Sequence, residues 1–266
     1  MRPRTRWCLV KTNGAVDSVA GSTKFATTHW SVVLSCVSDE DKKNKAQPAL
    51  SQLCRTYWRP IFTFVSRRGY TLNDAQDVTQ DFFLMILSGN LLYHADPARG
   101  RFRSLLLKSL QNFLIDTNEK RRAHKRGGEI DFVSWDDWMA EAPSQLSLPA
   151  RILETWPAER LYDLRWAATV VEQALRRLAE ECEIRGRRRV FDKVSIYLTA
   201  ERNDVSYNAL SVSLGIPVSS LRRLIHQLRV RYRTLLREEI ARTVSDPSEI
   251  DDEIRYLCTA LAAAEA

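Results

Sequence analysis

The chain has 266 residues, 44% of them hydrophobic and 27% charged, with a net charge of +7 and only nine glycines. That balance excludes a disordered polymer and fits a soluble globular protein able to bury real cores. At roughly 100–200 residues per domain, two cores are expected.

The five cysteines, Cys8, Cys36, Cys54, Cys182 and Cys258, show no CxxC or Cys/His ligand spacing. Their odd number argues against a disulfide framework, and reduced thiols fit best. Apolar runs fall short of the roughly 20 residues that cross a bilayer. The start, Met1-Arg2-Pro3-Arg4-Thr5-Arg6-Trp7, lacks a secretory apolar core. A cytoplasmic protein is therefore expected. Apolar residues recur at three and four positions with little alternation, so the expected fold is all-α, two helical domains joined by a long linker.

Residues 1–26 carry Gly14, Gly21 and Ser/Thr clusters without a sustained period, and read as a poorly ordered extension. Residues 27–126 carry a succession of helical patterns, punctuated at Ser38-Asp39-Glu40, Arg68-Gly69-Tyr70, Ser88-Gly89-Asn90 and Asp96-Pro97. In the stretch 74–87, Val78, Phe82 and Met85 share an apolar face, while Asp74, Asp77, Gln80 and Asp81 share the other side. An acidic face on a basic protein repels phosphate and suits a protein partner carrying arginines and lysines. The competing explanation is a solvated face helped by acids near a helix N-terminus.

In the stretch 100–126, Phe102, Leu105, Leu106, Leu110, Phe113 and Leu114 form a buried stripe. The remaining face is a ridge of Arg101, Arg103, Lys108, Lys120, Arg121, Arg122, Lys125 and Arg126, opposed only by Asp116 and Glu119. Such a ridge suits a nucleic-acid backbone, and Gln111, Asn112 and Asn118 can hydrogen-bond bases.

Periodicity fails over 127–158, where Pro143, Pro149 and Pro157 accompany Trp135, Trp138 and Trp156. This reads as a linker whose tryptophans dock on a domain or a partner. Helical patterns resume over 159–244, with a helix-turn-helix layout at 206–228. Ser206 can cap the first helix, Ala209, Leu210 and Leu214 fall on its buried face, and Gly215 supplies the positive φ of a tight turn. Pro217 suits the first turn of the second helix. There Leu221, Leu224, Ile225 and Leu228 make the apolar stripe, leaving Ser219, Ser220, Arg222, Arg223, His226 and Gln227 opposite. Arginine pairs with guanine edges or phosphates, glutamine with adenine, and short serines let a helix tip approach the groove. The arginines 222, 223, 229, 231, 233 and 237 meet no acid over that stretch of sequence, unlike an ordinary solvated face. Arg229 extends the expected DNA-binding set. A last amphipathic helix within 245–266 places Ile250, Ile254, Leu257 and Leu261 on one face, and packing on the preceding domain is its expected role.

Five features stand in order along the chain: Tyr57-Trp58-Arg59-Pro60, the stretch from Asp74 to Phe83, Arg99-Gly100-Arg101-Phe102-Arg103-Ser104, the pair Asn112 and Asp116, and the helix-turn-helix. Together they resemble the extracytoplasmic-function group of bacterial sigma factors, in a version with a longer linker and C-terminal helix. The resemblance begins near Thr27-Thr28-His29-Trp30 and runs to the C-terminus. It implies that Asp77, Gln80 and Asp81 face the clamp coiled coil of RNA polymerase. It also implies that the ridge around Asn112 and Asp116, with Arg121 and Arg122, engages the minus-ten element as its strands separate. The helix carrying Arg222 and Arg223 would read the minus-thirty-five element, and the linker would span the polymerase between them. Leu105 departs from the pattern, standing where many relatives carry an aromatic. Core RNA polymerase and promoter DNA are the implied partners, an anti-sigma or other regulatory protein a further candidate, and the free chain is expected to be a monomer.

A two-domain DNA-binding regulator that never joins polymerase shares the helix-turn-helix but has no need of the acidic face. A nucleic-acid-modifying enzyme would need clustered carboxylates with metal or histidine partners. Asp251-Asp252-Glu253 has no such companions, and a GxxxxGK[ST] loop is missing, so no catalytic, metal or cofactor-binding residues are expected.

Overall fold

A computed structural model describes residues 40–87, 101–123, 150–198 and 205–264. Every regular element among them is helical, so the fold is all-α. In chain order the helices are α1 (Glu40–Arg67), α2 (Leu72–Leu87), α3 (Phe102–Ala123), α4 (Ala150–Thr155), α5 (Ala158–Ile184), α6 (Arg188–Val194), α7 (Tyr207–Leu214), α8 (Val218–Ala241) and α9 (Ile250–Ala262). Short 3-10 turns follow α6 at Ser195–Tyr197 and precede α9 at Pro247–Glu249. The expected extension at 1–26, the motif at 27–30 and most of the expected linker, with Trp135 and Trp138, lie outside the described residues.

Helix α5 is the axis of the structure. Leu161, Tyr162, Leu164, Trp166, Ala167, Val170, Val171 and Ala174 are all buried, covering the helix on several sides. A helix with apolar residues on several sides needs neighbours on more than one of them. Helix α1 packs along α5, and α8 and α9 pack on it too. Phe64 of α1 meets Tyr162 edge to face at 6.5 Å, and Tyr57 meets Phe102 of α3 at 5.5 Å. Polar ties reinforce the α1–α5 contact. Arg59 Nη1 lies 2.9 Å from Glu172 Oε2, and Gln173 Nε2 donates to Thr56 Oγ1 at 3.1 Å. These contacts draw the described residues around one continuous buried core, where the sequence had suggested two cores with a linker between.

The end of the expected linker is ordered helix. Arg67, closing α1, donates from Nε to the Trp156 carbonyl at 2.9 Å and from Nη2 to the Glu154 carbonyl at 2.7 Å. Trp156 is half-buried, with the Arg160 guanidinium 3.7 Å above its ring, so this tryptophan does dock.

The stripes read from sequence reappear as packing. Val78 and Phe82 of α2, Phe102, Leu106 and Leu110 of α3, and Leu221, Ile225 and Leu228 of α8 are buried. Leu257 and Leu261 anchor α9, with Ile250 and Ile254 half-buried beside them. Thr71 begins α2: its Oγ1 accepts the Asp74 N–H at 3.2 Å and donates to Asp74 Oδ2 at 2.7 Å, a reciprocal cap.

Between α7 and α8 the chain turns at Gly215, φ +66°, whose N–H and that of Ile216 both return to the Ser211 carbonyl. Pro217 caps α8, one position ahead of its expected place, and Ala209 is exposed while Leu210 is buried. A Cβ on Gly215 would meet no atom within 4 Å, so the cost of Gly215→Ala is the left-handed backbone alone. That amounts to about 1–2 kcal/mol, checked as a shift in the urea midpoint.

Candidate nucleic-acid interface

The helix-turn-helix delivers its expected polar set to solvent. Ser219, Ser220, Arg222, Arg223, His226 and Gln227 are all exposed on the first turns of α8, opposite the buried Leu221 and Ile225. The Arg222 guanidinium lies 5.2 Å above the Tyr207 ring, a cation–π contact that steers this long side chain. Arg229 differs from the rest. It is half-buried, and its Nε and Nη2 donate to the Tyr197 carbonyl at 3.2 and 2.7 Å, fixing the turn after α6 to α8. This contact ties Arg229 to the fold and sets it apart from the exposed set.

Two further arginines of α8 find acids elsewhere in the chain. Arg231 Nη2 donates to Glu181 Oε1 at 2.5 Å, and Arg237 Nη1 to Asp251 Oδ1 at 2.5 Å. The Arg231 bond is the leading cause that holds the Glu181 carboxyl below its usual range. Two arginines of the uncompensated run read from sequence are thus compensated by tertiary contacts beyond the recognition face, while Arg233 is exposed.

Helix α3 sorts the expected ridge into three groups. Lys108, Asn112 and Asp116 are exposed, together with Ile115, while Gln111 is half-buried with Nε2 3.3 Å from Glu159 Oε1. Arg101 and Arg103 are engaged by the C-terminal helix. Lys120, Arg121 and Arg122 belong to α3, but their side chains lie outside the described residues, as do Lys125 and Arg126 altogether.

Arg103 overturns its expected place on the ridge, because it is only 6% exposed. Its Nε donates to Glu253 Oε1 at 2.7 Å and its Nη1 to Asp163 Oδ1 at 2.5 Å. The Tyr256 ring lies 4.0 Å and the Trp166 ring 4.9 Å from the guanidinium carbon. Burial pulls this guanidinium down, but the Glu253 bond and charge and the Asp163 charge outweigh it and hold the group above its ordinary value. Tyr256 Oη donates to Asp163 Oδ2 at 2.5 Å, and Tyr162 Oη donates to the Arg103 carbonyl at 3.2 Å. Arg101 Nη1 sits 2.9 Å from the second Glu253 oxygen, an ion pair whose angle is too poor for a hydrogen bond.

The sequence itself carries a sign of this network. Glu253 sits on the apolar stripe of α9, three residues after Ile250 and four before Leu257, where a carboxylate is stable only if a cation meets it. At the corner between α5 and α6, Arg185, Arg187, Arg188 and Arg189 are exposed, and Arg188 pairs with Glu183 and Asp192.

On α2, Asp77 and Asp81 are exposed one turn apart, while Gln80 is half-buried and Asp74 is committed to the Thr71 cap. The three adjacent acids of α9 are each bound by arginine: Asp251 by Arg237, Asp252 by Arg255, and Glu253 by Arg101 and Arg103. Among the described residues no group of His, Cys, Asp and Glu could hold a metal ion, and no helix is long and apolar enough to cross a membrane. Cys54, Cys182 and Cys258 are free thiols, and burial pushes Cys54 up to about 12 and Cys258 up to about 11. The chain matches no protein-family model, no curated protein and no solved structure.

Proposed function

We propose that this chain is a sigma-type transcription initiation factor of the extracytoplasmic-function kind, which joins core RNA polymerase and directs it to promoters. The observation that carries the reading is the exposed set of Ser219, Ser220, Arg222, Arg223, His226 and Gln227, presented by α8 immediately after the Gly215 turn. Hydrogen-bonding side chains at the N-terminal end of the second helix suit insertion into a major groove. The exposed Asp77 and Asp81 support a basic protein partner, which separates this reading from a regulator acting on DNA alone.

In this reading α8 recognises the minus-thirty-five element, and the exposed Lys108, Asn112 and Asp116 belong to the surface that meets the minus-ten element. The α3 surface and the α8 surface then meet two DNA elements from one shared core. The chain works in the cytoplasm, as a monomer when free, with no catalytic chemistry of its own.

The test mixes purified chain with core RNA polymerase and genomic DNA. Transcripts starting at defined sites support the reading, whereas DNA binding without polymerase association replaces it with a conventional regulator. Within it, Arg222→Ala costs about 1–3 kcal/mol of DNA affinity and relaxes preference at one base position. A uniform loss over all sequences, measured by competition binding, would assign Arg222 to phosphate instead.

A further inference from the structure

Helix α9 engages two cations at the start of α3, Arg101 just ahead of the helix and Arg103 in its first turn. One carboxylate, Glu253, 1% exposed, faces both Arg101 and Arg103, across 150 residues of sequence in the second case. Tyr256 covers the Arg103 guanidinium and holds Asp163 of α5. Lys108 and Asn112, seven and eleven residues on and in line with Arg101, are open to solvent. A cavity of about 350 Å³ reaches from this open face to the buried network, lined among others by Ser104, Lys108, Gln111, Arg103, Asp163 and Tyr256. An anion approaching Lys108 therefore has a path to Arg103.

We infer that α9 and a nucleic-acid backbone compete for Arg101 and Arg103, so that this structure is a closed form and engagement of α3 by DNA releases the C-terminal helix. The inference rests on the proposed DNA-binding function of α3.

The energetics favour exchange. A buried ionic cluster adds little net stability over apolar packing, since both partners lose their hydration. Phosphate offers an arginine the same charge-assisted, two-oxygen recognition as carboxylate, so the swap replaces like with like. Outside this network α9 is held by the burial of Leu257, Leu261 and Ala264, by the half-buried Ile250 and Ile254, and by the exposed Arg237–Asp251 pair, which adds little. Coupling of this kind is reciprocal: whatever loosens α9 strengthens DNA binding by the factor through which DNA loosens α9.

The full chain and its Glu253→Gln variant are titrated against a fluorescent duplex of arbitrary sequence over a range of salt. The variant should bind about tenfold tighter at moderate salt, and the slope of log K against log salt should steepen by about two as two more phosphates are neutralised. Hydrogen exchange of the wild-type amides over 250–262 should accelerate when the chain is saturated with the same duplex. Equal affinity in wild type and variant, with α9 equally protected free and bound, would overturn the inference while leaving DNA binding intact. Should the variant fail to fold, wild-type exchange decides alone, acceleration supporting release of α9 and unchanged protection overturning it. If neither protein binds the duplex, the inference falls together with the proposed function.

Discussion

Asp77→Arg combined with Asp81→Arg should abolish co-purification with core RNA polymerase while leaving the helical circular dichroism and the urea midpoint close to wild type. Both side chains are exposed on α2, one turn apart, and the buried face of that helix is carried by Val78, Phe82 and Ile86. Exposed substitutions away from caps and cores change stability by about 0.5 kcal/mol or less. At an interface the effect is far larger, since reversing two charges opposite a basic partner turns attraction into repulsion costing several kcal/mol. Each 1.4 kcal/mol is tenfold, so a loss of about a thousandfold is expected. Asp74 is left alone in this variant because it closes the Thr71 cap, and removing it would confuse a folding defect with a binding one. Arg222→Ala serves as the control, for it should bind polymerase normally and lose only DNA affinity. Normal polymerase binding by the doubly reversed variant would remove the sigma reading.

What the sequence made legible is what lies within one or two turns of helix. The stripes of α2, α3, α8 and α9 follow from spacing at three and four residues, and the turn at Gly215 follows from the one residue that takes φ +66° without a Cβ penalty. The solvent face of α8 follows as the complement of its stripe. Long-range partners were not legible. Residue type alone puts Arg103, Arg229, Arg231 and Arg237 on basic faces, yet each meets its acceptor through the tertiary fold: Glu253 and Asp163, the Tyr197 carbonyl, Glu181, and Asp251. The expectation of two cores went the same way. Helix α5 was placed at the start of the second unit, but its apolar residues face several directions, from Leu161 and Tyr162 through Trp166 to Val170 and Val171. A helix of that pattern needs neighbours on more than one side, and it obtains them from α1 as well as from α8 and α9.

Arg103→Met should be the most destabilising single substitution among the site residues, costing about 3–5 kcal/mol. The guanidinium is enclosed by Trp166, Tyr256, Glu253 and Asp163, so solvent does not screen the Glu253 charge it leaves behind. Methionine is close to the length of the aliphatic stem and fills much of the volume, so the loss comes mainly from stranded carboxylate rather than from a cavity. The two acids do not suffer equally. Asp163 keeps the Tyr256 hydroxyl and is partly solvated, whereas Glu253, 1% exposed, is left with Arg101 alone, and that contact is poorly aligned. Adding Glu253→Met to Arg103→Met should therefore recover most of the lost stability, because an apolar pair replaces an unpaired buried charge. Urea midpoints of the two single variants and the double variant measure this as a coupling energy. If Glu253 were instead held chiefly by Arg101, Arg103→Met would cost little, and the double variant would be less stable than either single one.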